Sequence, residues 1–342
     1  MVLIPLFLHI MFQGSRLNKI QAIKYLVMYT LVGSSFLWYT ISYFIEIVGS
    51  SDFDQLRWLL MESTTLGTRR VLFLCLFLGF AFKVPLVPFH HWLIIAHVEA
   101  PTNGSIILAA LLLKVGGYGL YRFVYTIFPM EVLYFSNEIL TISLFGYTFA
   151  TILAIRQIDL KRYIAYTSIA HMNFSLLGLF STYNIGILGY VHMMISHGII
   201  ASSMFFLVGY IYSVLNFRDS IRISGLAYTF PKFSLFFFIF SIANMGLPLF
   251  SGFPGEFFIL LSVISNNEYF GLFIFFGFMF SGIYNFLQIN KVLFSTSMSL
   301  LYLKKKDDLD SASILILSVL LYWSLILGLF PDIITQNIEI YV

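Results

Sequence analysis

The chain has 342 residues, 59% hydrophobic and only 10% charged, with a net charge of +3. A soluble domain carries about 25% charged residues, so this composition excludes a water-soluble enzyme and defines a polytopic membrane protein. Most of the few basic residues lie in loops and offer nothing to nucleic acid, and the single Cys75 excludes a disulfide framework or a cysteine-based metal site.

The chain opens on Met1–Phe12, an apolar stretch of about a dozen residues, too short to cross a ~30 Å hydrocarbon core. It reads as the back half of a helix whose front half is absent. No cleavable signal peptide is visible. Runs long enough to span follow at roughly 20–45, 70–92, 103–127, 133–155, 160–182, 185–215, 232–264, 269–297 and 311–331. No soluble domain interrupts them, and the longest loop is expected from Ile47 to Arg69. The 39 phenylalanines suit lipid-facing surfaces and would fit the T-rich codons of an organelle genome.

The loops alternate in charge. One side carries Arg16 and Lys19, then Arg156, Lys161 and Arg162, then Arg218, Arg222 and Lys232, then Lys304 to Lys306. The other carries Asp52, Asp54, Glu62, Glu131, Glu138 and Glu268, with Arg57, Arg69 and Arg70 as the exception. The positive-inside rule puts the first set in the cytoplasm or matrix, and the C-terminus on the opposite face.

Lys83 and Lys114 fall inside apolar runs. A charge at the centre of a spanning helix costs about 3 kcal/mol on insertion scales, so each needs an internal partner or a task. Lys83 is followed by Pro85 and Pro88. Proline lacks an N–H and clashes with the carbonyl four residues back, so Pro85 is expected to break the helix and free the Ala81 carbonyl. Lys114 is followed by Gly116 and Gly117, a weak point in its helix. A second break is expected around Pro248 and Pro254, ending on Glu256. Two broken helices with a charge each suggest an internal repeat of the transporter kind; the plainer alternative is two proline kinks with snorkelling charges.

His171, with Thr167, Ser168 and Ser175 nearby, and His197 fall mid-helix on consecutive spans. A lone histidine is more often packing than working, but two at the midplane among hydroxyls favour proton transfer, since imidazole titrates near neutrality. His192 points to a different face and reads as packing. His90, His91 and His97 lie near an expected loop, where Glu99 and Pro101 interrupt the helix and no fourth ligand stands by, so no metal site is expected. Desolvation disfavours a charged lysine and a carboxylate favours it. Lys83, Lys114, His171, His197 and Glu256 could therefore form a proton path. Glu46 and Glu62 are the upstream candidates to pair with Lys83, and neither is well placed.

The stretch from Phe82-Lys83-Val84-Pro85 through His97-Val98-Glu99-Ala100-Pro101 to Leu113-Lys114-Val115-Gly116-Gly117 closely resembles the subunit 4 family of NADH:ubiquinone oxidoreductase, respiratory complex I. Asp159-Leu160-Lys161-Arg162-Tyr163, His171-Met172, His197-Gly198 and Pro254-Gly255-Glu256-Phe257 match in the same order. The resemblance implies an all-α antiporter-like fold with inverted repeats. It places a truncated first repeat at 1–127, a second repeat at 133–297, and a loop and last transmembrane helix at 298–342. It implies proton translocation coupled to quinone reduction elsewhere, with Lys83 as the broken-helix lysine, Lys114 as the central one, His171 and His197 as connecting residues and Glu256 as the exit acid. Flavin, iron–sulfur clusters and ubiquinone are then expected in other subunits and no cofactor in this chain. Expected partners are the subunit 2-like and subunit 5-like chains and lipids, in the mitochondrial inner membrane or, alternatively, a bacterial plasma membrane. The family has a glutamate just before its Leu-Ile-Pro; here Leu3-Ile4-Pro5 follows Met1-Val2, so a separate chain is expected to complete the missing helices. The alternatives are a cation/proton antiporter subunit of the Mrp type and a membrane scaffold that has lost pumping.

Overall fold

The computed structural model describes residues 3–14, 18–48, 53–295 and 308–339. Met1, Val2, Arg16, Asp52 and Lys304 to Lys306 lie outside the described residues, as do the side chains of Asp54 and Glu62.

Among the described residues, Lys19–Ile47, Thr102–Tyr125, Pro129–Ile155, Asn184–Leu215, Glu268–Phe294 and Ser311–Leu329 are long and apolar enough to cross a membrane. Two further crossings are each made of two shorter helices. Leu66–Ala81 and His91–Glu99 flank the Pro85 segment. Pro231–Asn244 and Gly252–Asn266 flank the Pro248 segment. The spans at 70–92 and 232–264 are therefore interrupted, as the prolines within them predict.

Leu160–Phe180 is a different kind of helix. It is buried along nearly its whole length, its polar positions Lys161, Thr167, Ser168, His171, Asn173 and Ser175 included. It packs against the helices on either side of it in the chain, against Gly252–Asn266 and against His91–Glu99. Protein rather than lipid surrounds it, so it needs no apolar face. A polar side chain at this depth is tolerated only where other protein groups or water meet it.

Local signals set the ends. Asp159 caps the Leu160–Phe180 helix, its carboxylate accepting the Lys161 N–H at 3.0 Å. Pro129 and Pro231 stand in the first turns of their helices, where no N–H is needed. Asn216, at φ 61°, closes Asn184–Leu215 in the left-handed conformation that asparagine tolerates.

Two expectations are corrected. The Ile47 to Arg69 segment contains a helix, Phe53–Ser63, whose Leu56 and Leu60 are buried. A one-sided helix of 11 residues with mixed charges disappears in a span-length hydropathy reading. Lys161 lies in the first turn of a helix and Arg218 in a loop, but both are buried. Arg218 donates to Asp159 Oδ2 at 2.8 Å and to the Val98 carbonyl at 2.7 Å, and Lys161 Nζ donates to the Ala100 carbonyl at 2.7 Å. They hold the carbonyls at the C-terminal end of His91–Glu99, Val98 inside it and Ala100 just past it, groups with no N–H partner in the helix. Arg69 and Arg70 have local partners: Arg69 lies 3.7 Å from Glu131, and Arg70 lies over the Tyr134 ring at 3.8 Å.

Candidate functional site

The first break is satisfied from within. The Ala81 carbonyl, expected to be free, accepts the Leu86 N–H at 3.1 Å, because the turn widens past Pro85, which has no N–H, and the next residue supplies the donor. The Phe82 carbonyl accepts the Trp92 indole N–H at 2.9 Å, and the Pro85 carbonyl accepts from the Asn173 amide at 3.5 Å. Lys83 is half-buried at this turn, its Nζ 5.6 Å from the centre of the Phe80 ring. Among the described residues no carboxylate pairs with it. Gly116 brings the next helix onto this turn: a Cβ there would lie 2.8 Å from Val84 Cγ2 and 3.0 Å from Lys83 Cβ.

Lys114 sits beside an irregularity, but not the glycine pair. Gly116 and Gly117 are helical. The helix widens into π turns on both sides, at Leu108–Leu112 and Leu120–Tyr125. The Leu113 N–H, which an α-helix would direct at Ala109, goes to the Leu108 carbonyl instead. The Lys114 ammonium donates to the Ala109 carbonyl at 2.7 Å. Its second contact is His197 Nδ1, 2.6 Å away on Asn184–Leu215. Tyr190, two turns earlier on that helix, donates to the Gly117 carbonyl at 2.7 Å and fixes the two helices together.

From His197 the polar line continues inward. The His171 and His197 ring centres are 5.7 Å apart. His171 Nδ1 lies 4.0 Å from Glu256 Oε1, and its Nε2 lies 3.3 Å from Asn244 Oδ1. A narrow cavity of about 10 Å³ lies among these groups, lined by His171, Ser196, His197, Asn244 and Glu256 among others. That is room for about one water. The hydroxyls expected to assist His171 do not reach it. Thr167 and Ser168 donate to the Ile164 carbonyl, both at 2.9 Å, and Ser175 donates to the Met172 carbonyl at 2.7 Å. A hydroxyl one turn from its own helix carbonyl takes that bond first.

The second break spans the residues between Asn244 and Gly252 and includes Pro248. Pro254 is not part of it. It stands in the first turn of Gly252–Asn266, where proline fits a helix start. Gly246, at φ 72°, turns the chain where a side chain would be strained. A Cβ on it would meet Glu256 Oε2 at 1.9 Å, so the bare glycine forms the wall against which the carboxylate rests. Glu256 also lines a second, outward-opening pocket with Met245, Phe257, Phe278 and Ser281. It therefore stands between the interior cavity and an opening.

The structure thus brings Lys114, His197, His171 and Glu256 together and leaves Lys83 one helix away, across Gly116. His90, His91 and His97 go to separate neighbours: Phe149, Tyr25 and Phe205. Sequence reasoning missed Asn244, Asn285 and Tyr163. Tyr163 donates to Asn285 Oδ1 at 2.6 Å, and Asn244 Nδ2 donates to the same oxygen at 3.2 Å. The signal was present, since an asparagine inside an apolar run needs a partner much as a lysine does.

The model of the family described as NADH:quinone oxidoreductase/Mrp antiporter, TM, matches residues 1–281. A relative from Chondrus crispus, NADH-ubiquinone oxidoreductase chain 4, is 38% identical over 97% of this chain and 66% of its own length. A relative of the same name from Metridium senile is 37% identical over 99% of this chain and 68% of its own. The chain thus spans about two thirds of the length of these relatives. A chain in the structure of respiratory complex I from Thermus thermophilus with bound NADH superposes with a TM-score of 0.89 at 26% identity, over 98% of this chain and 70% of that one. A chain of an archaeal membrane-bound sulfane sulfur reductase shares the fold, with a TM-score of 0.83 at 23% identity, over 96% of this chain and 66% of that one.

Proposed function

The chain belongs to the NADH:quinone oxidoreductase/Mrp antiporter transmembrane family, and from that premise we propose that it is a proton-translocating subunit of the membrane arm of NADH:ubiquinone oxidoreductase. The observation that carries this reading is the line Lys114–His197–His171–Glu256, buried beside a helix break and ending at an outward-opening pocket. Lys114 passes a proton to His197 Nδ1, the cavity carries it to His171, and Glu256 releases it. Recharging Lys114 from the opposite side is the task of Lys83, whose half-buried ammonium calls for a carboxylate from beyond the described residues. Engaging or releasing that acid changes how strongly Lys83 holds its charge.

In this reading the chain performs no redox chemistry. Flavin, iron–sulfur clusters and ubiquinone belong to other subunits, and the neighbours are subunit 2-like and subunit 5-like chains in the mitochondrial inner membrane. The eukaryotic relatives named chain 4 support that assignment over an Mrp-type antiporter.

The test is a purified assembly containing this chain, reconstituted into liposomes, with protons moved per NADH oxidised measured for native chain and Lys114→Met. The expected result is co-purification with flavin and iron–sulfur subunits and a lower proton yield in the variant at retained NADH oxidation. An unchanged yield, or isolation without redox subunits, refutes the assignment.

A further inference from the structure

The amide chain behind His171 has a fixed direction, and that direction is set by an atom that can only accept. Asn285 Nδ2 donates to the Ser281 backbone carbonyl at 3.0 Å. The Asn285 oxygen must then face the other way, where it accepts from Tyr163 Oη–H at 2.6 Å and from Asn244 Nδ2 at 3.2 Å. With its nitrogen committed there, Asn244 presents its oxygen to His171 Nε2 at 3.3 Å. An amide oxygen only accepts, so His171 Nε2 must carry a hydrogen.

We propose that Asn244, held by Asn285 and Tyr163, is a positioning residue that locks His171 in the Nε2–H tautomer, so that this histidine takes up and gives up its proton through Nδ1 alone. The inference rests on the proton-conducting reading of the site and adds to it. Asn244, Asn285 and Tyr163 are all buried. Reversing either amide, or moving the hydrogen to Nδ1, sets two acceptors face to face away from water. A buried polar group left in that state is costly, so the chain polarises as a unit.

The consequence is mechanistic. A histidine that conducts straight through accepts a proton on one ring nitrogen and loses the other. His171 lacks that option because its Nε2 hydrogen is engaged. Its Nδ1 faces Glu256 Oε1 at 4.0 Å across the cavity it shares with His197. Nδ1 takes a proton delivered from the His197 side, making the imidazolium, and later returns that same proton to the Glu256 carboxylate. No second proton can enter while the first is held. His171 therefore works as a one-place holding site between two neighbours rather than as a wire.

The experiment uses the whole assembled complex with ¹⁵N-labelled histidine, the His171 signals being assigned by their loss in His171→Gln. Neutral His171 in the native complex is expected to show a protonated Nε2 and a bare Nδ1. The reverse tautomer, or a mixture, overturns the proposal without needing any further variant. In Asn244→Leu the second tautomer is expected to appear, with a lower proton yield per NADH and NADH oxidation retained. If Asn244→Leu leaves the tautomer pure, Asn244 is not the lock and the proposal fails. A locked tautomer in a complex that moves no protons through this chain would instead refute the functional reading and leave the lock standing.

Discussion

Lys114 Nζ lies 2.6 Å from His197 Nδ1, with the Ala109 carbonyl on its other side at 2.7 Å. Two acceptors hold the ammonium, and one of them can take its proton. This contact separates the roles that a buried charge could play. Arginine would keep the charge but does not release a proton in a protein, and its planar head does not fit between two acceptors arranged for a point donor. Lys114→Arg is therefore expected to impair proton translocation as fully as Lys114→Met does. The check is dye quenching in liposomes during NADH oxidation. Native pumping by the arginine variant would mean that Lys114 acts through its field alone.

Gly246 touches the carboxylate of Glu256 and holds a φ of 72°. Gly246→Ala meets both difficulties at once. The left-handed backbone alone costs about 1–2 kcal/mol for a residue with a Cβ, and the methyl displaces the carboxylate from its wall. The expected outcome is a complex that assembles but melts earlier and yields fewer protons per NADH. Thermal unfolding of the purified complex and the liposome assay measure the two effects separately. An unaltered melting temperature would show that the turn relaxes without strain.

Buried Arg218 pairs with the partly buried Asp159 and also holds the Val98 carbonyl. Removing Arg218 leaves the Asp159 charge without its partner and the Val98 carbonyl without a donor, a loss of up to about 3–5 kcal/mol. Arg218→Ala is expected to abolish accumulation of the assembled complex. The Arg218→Met, Asp159→Asn double variant should recover part of it, because no charge is then left alone. Complex levels in native gels decide this, and equal loss in single and double variants would show that the pair's geometry rather than its charge balance matters.

The lysines were legible in the sequence because a charge in an apolar run stands out against its neighbours. So were the two breaks, because proline removes a donor wherever it falls. The partners of these residues were not legible. Nothing in the spacing of Lys114 and His197 says that their side chains meet, and the π turns that flank Lys114 leave no mark in a pattern that looks helical throughout. Lys161 and Arg218 were misread for a related reason. They lie at helix ends beside exposed cations such as Arg222, and only the fold distinguishes a cation that binds helix carbonyls from one in water. The amide chain from Asn285 to His171 joins three separate helices, so no local window contains it.

The burial of Leu160–Phe180 also bears on how the chain enters a bilayer. Its first turn carries Lys161 and Arg162, and its middle carries His171 and Asn173. On insertion scales, charged side chains oppose partition of a lone helix into lipid. Its shelter is built from segments made before and after it, chiefly Pro129–Ile155 and Asn184–Leu215. The ribosome must therefore release a segment whose lodging is not yet finished. Stable integration of Leu160–Phe180 is expected only once Asn184–Leu215 has emerged, and glycosylation mapping of chains truncated near Thr182 and near Asn216 would reveal the delay.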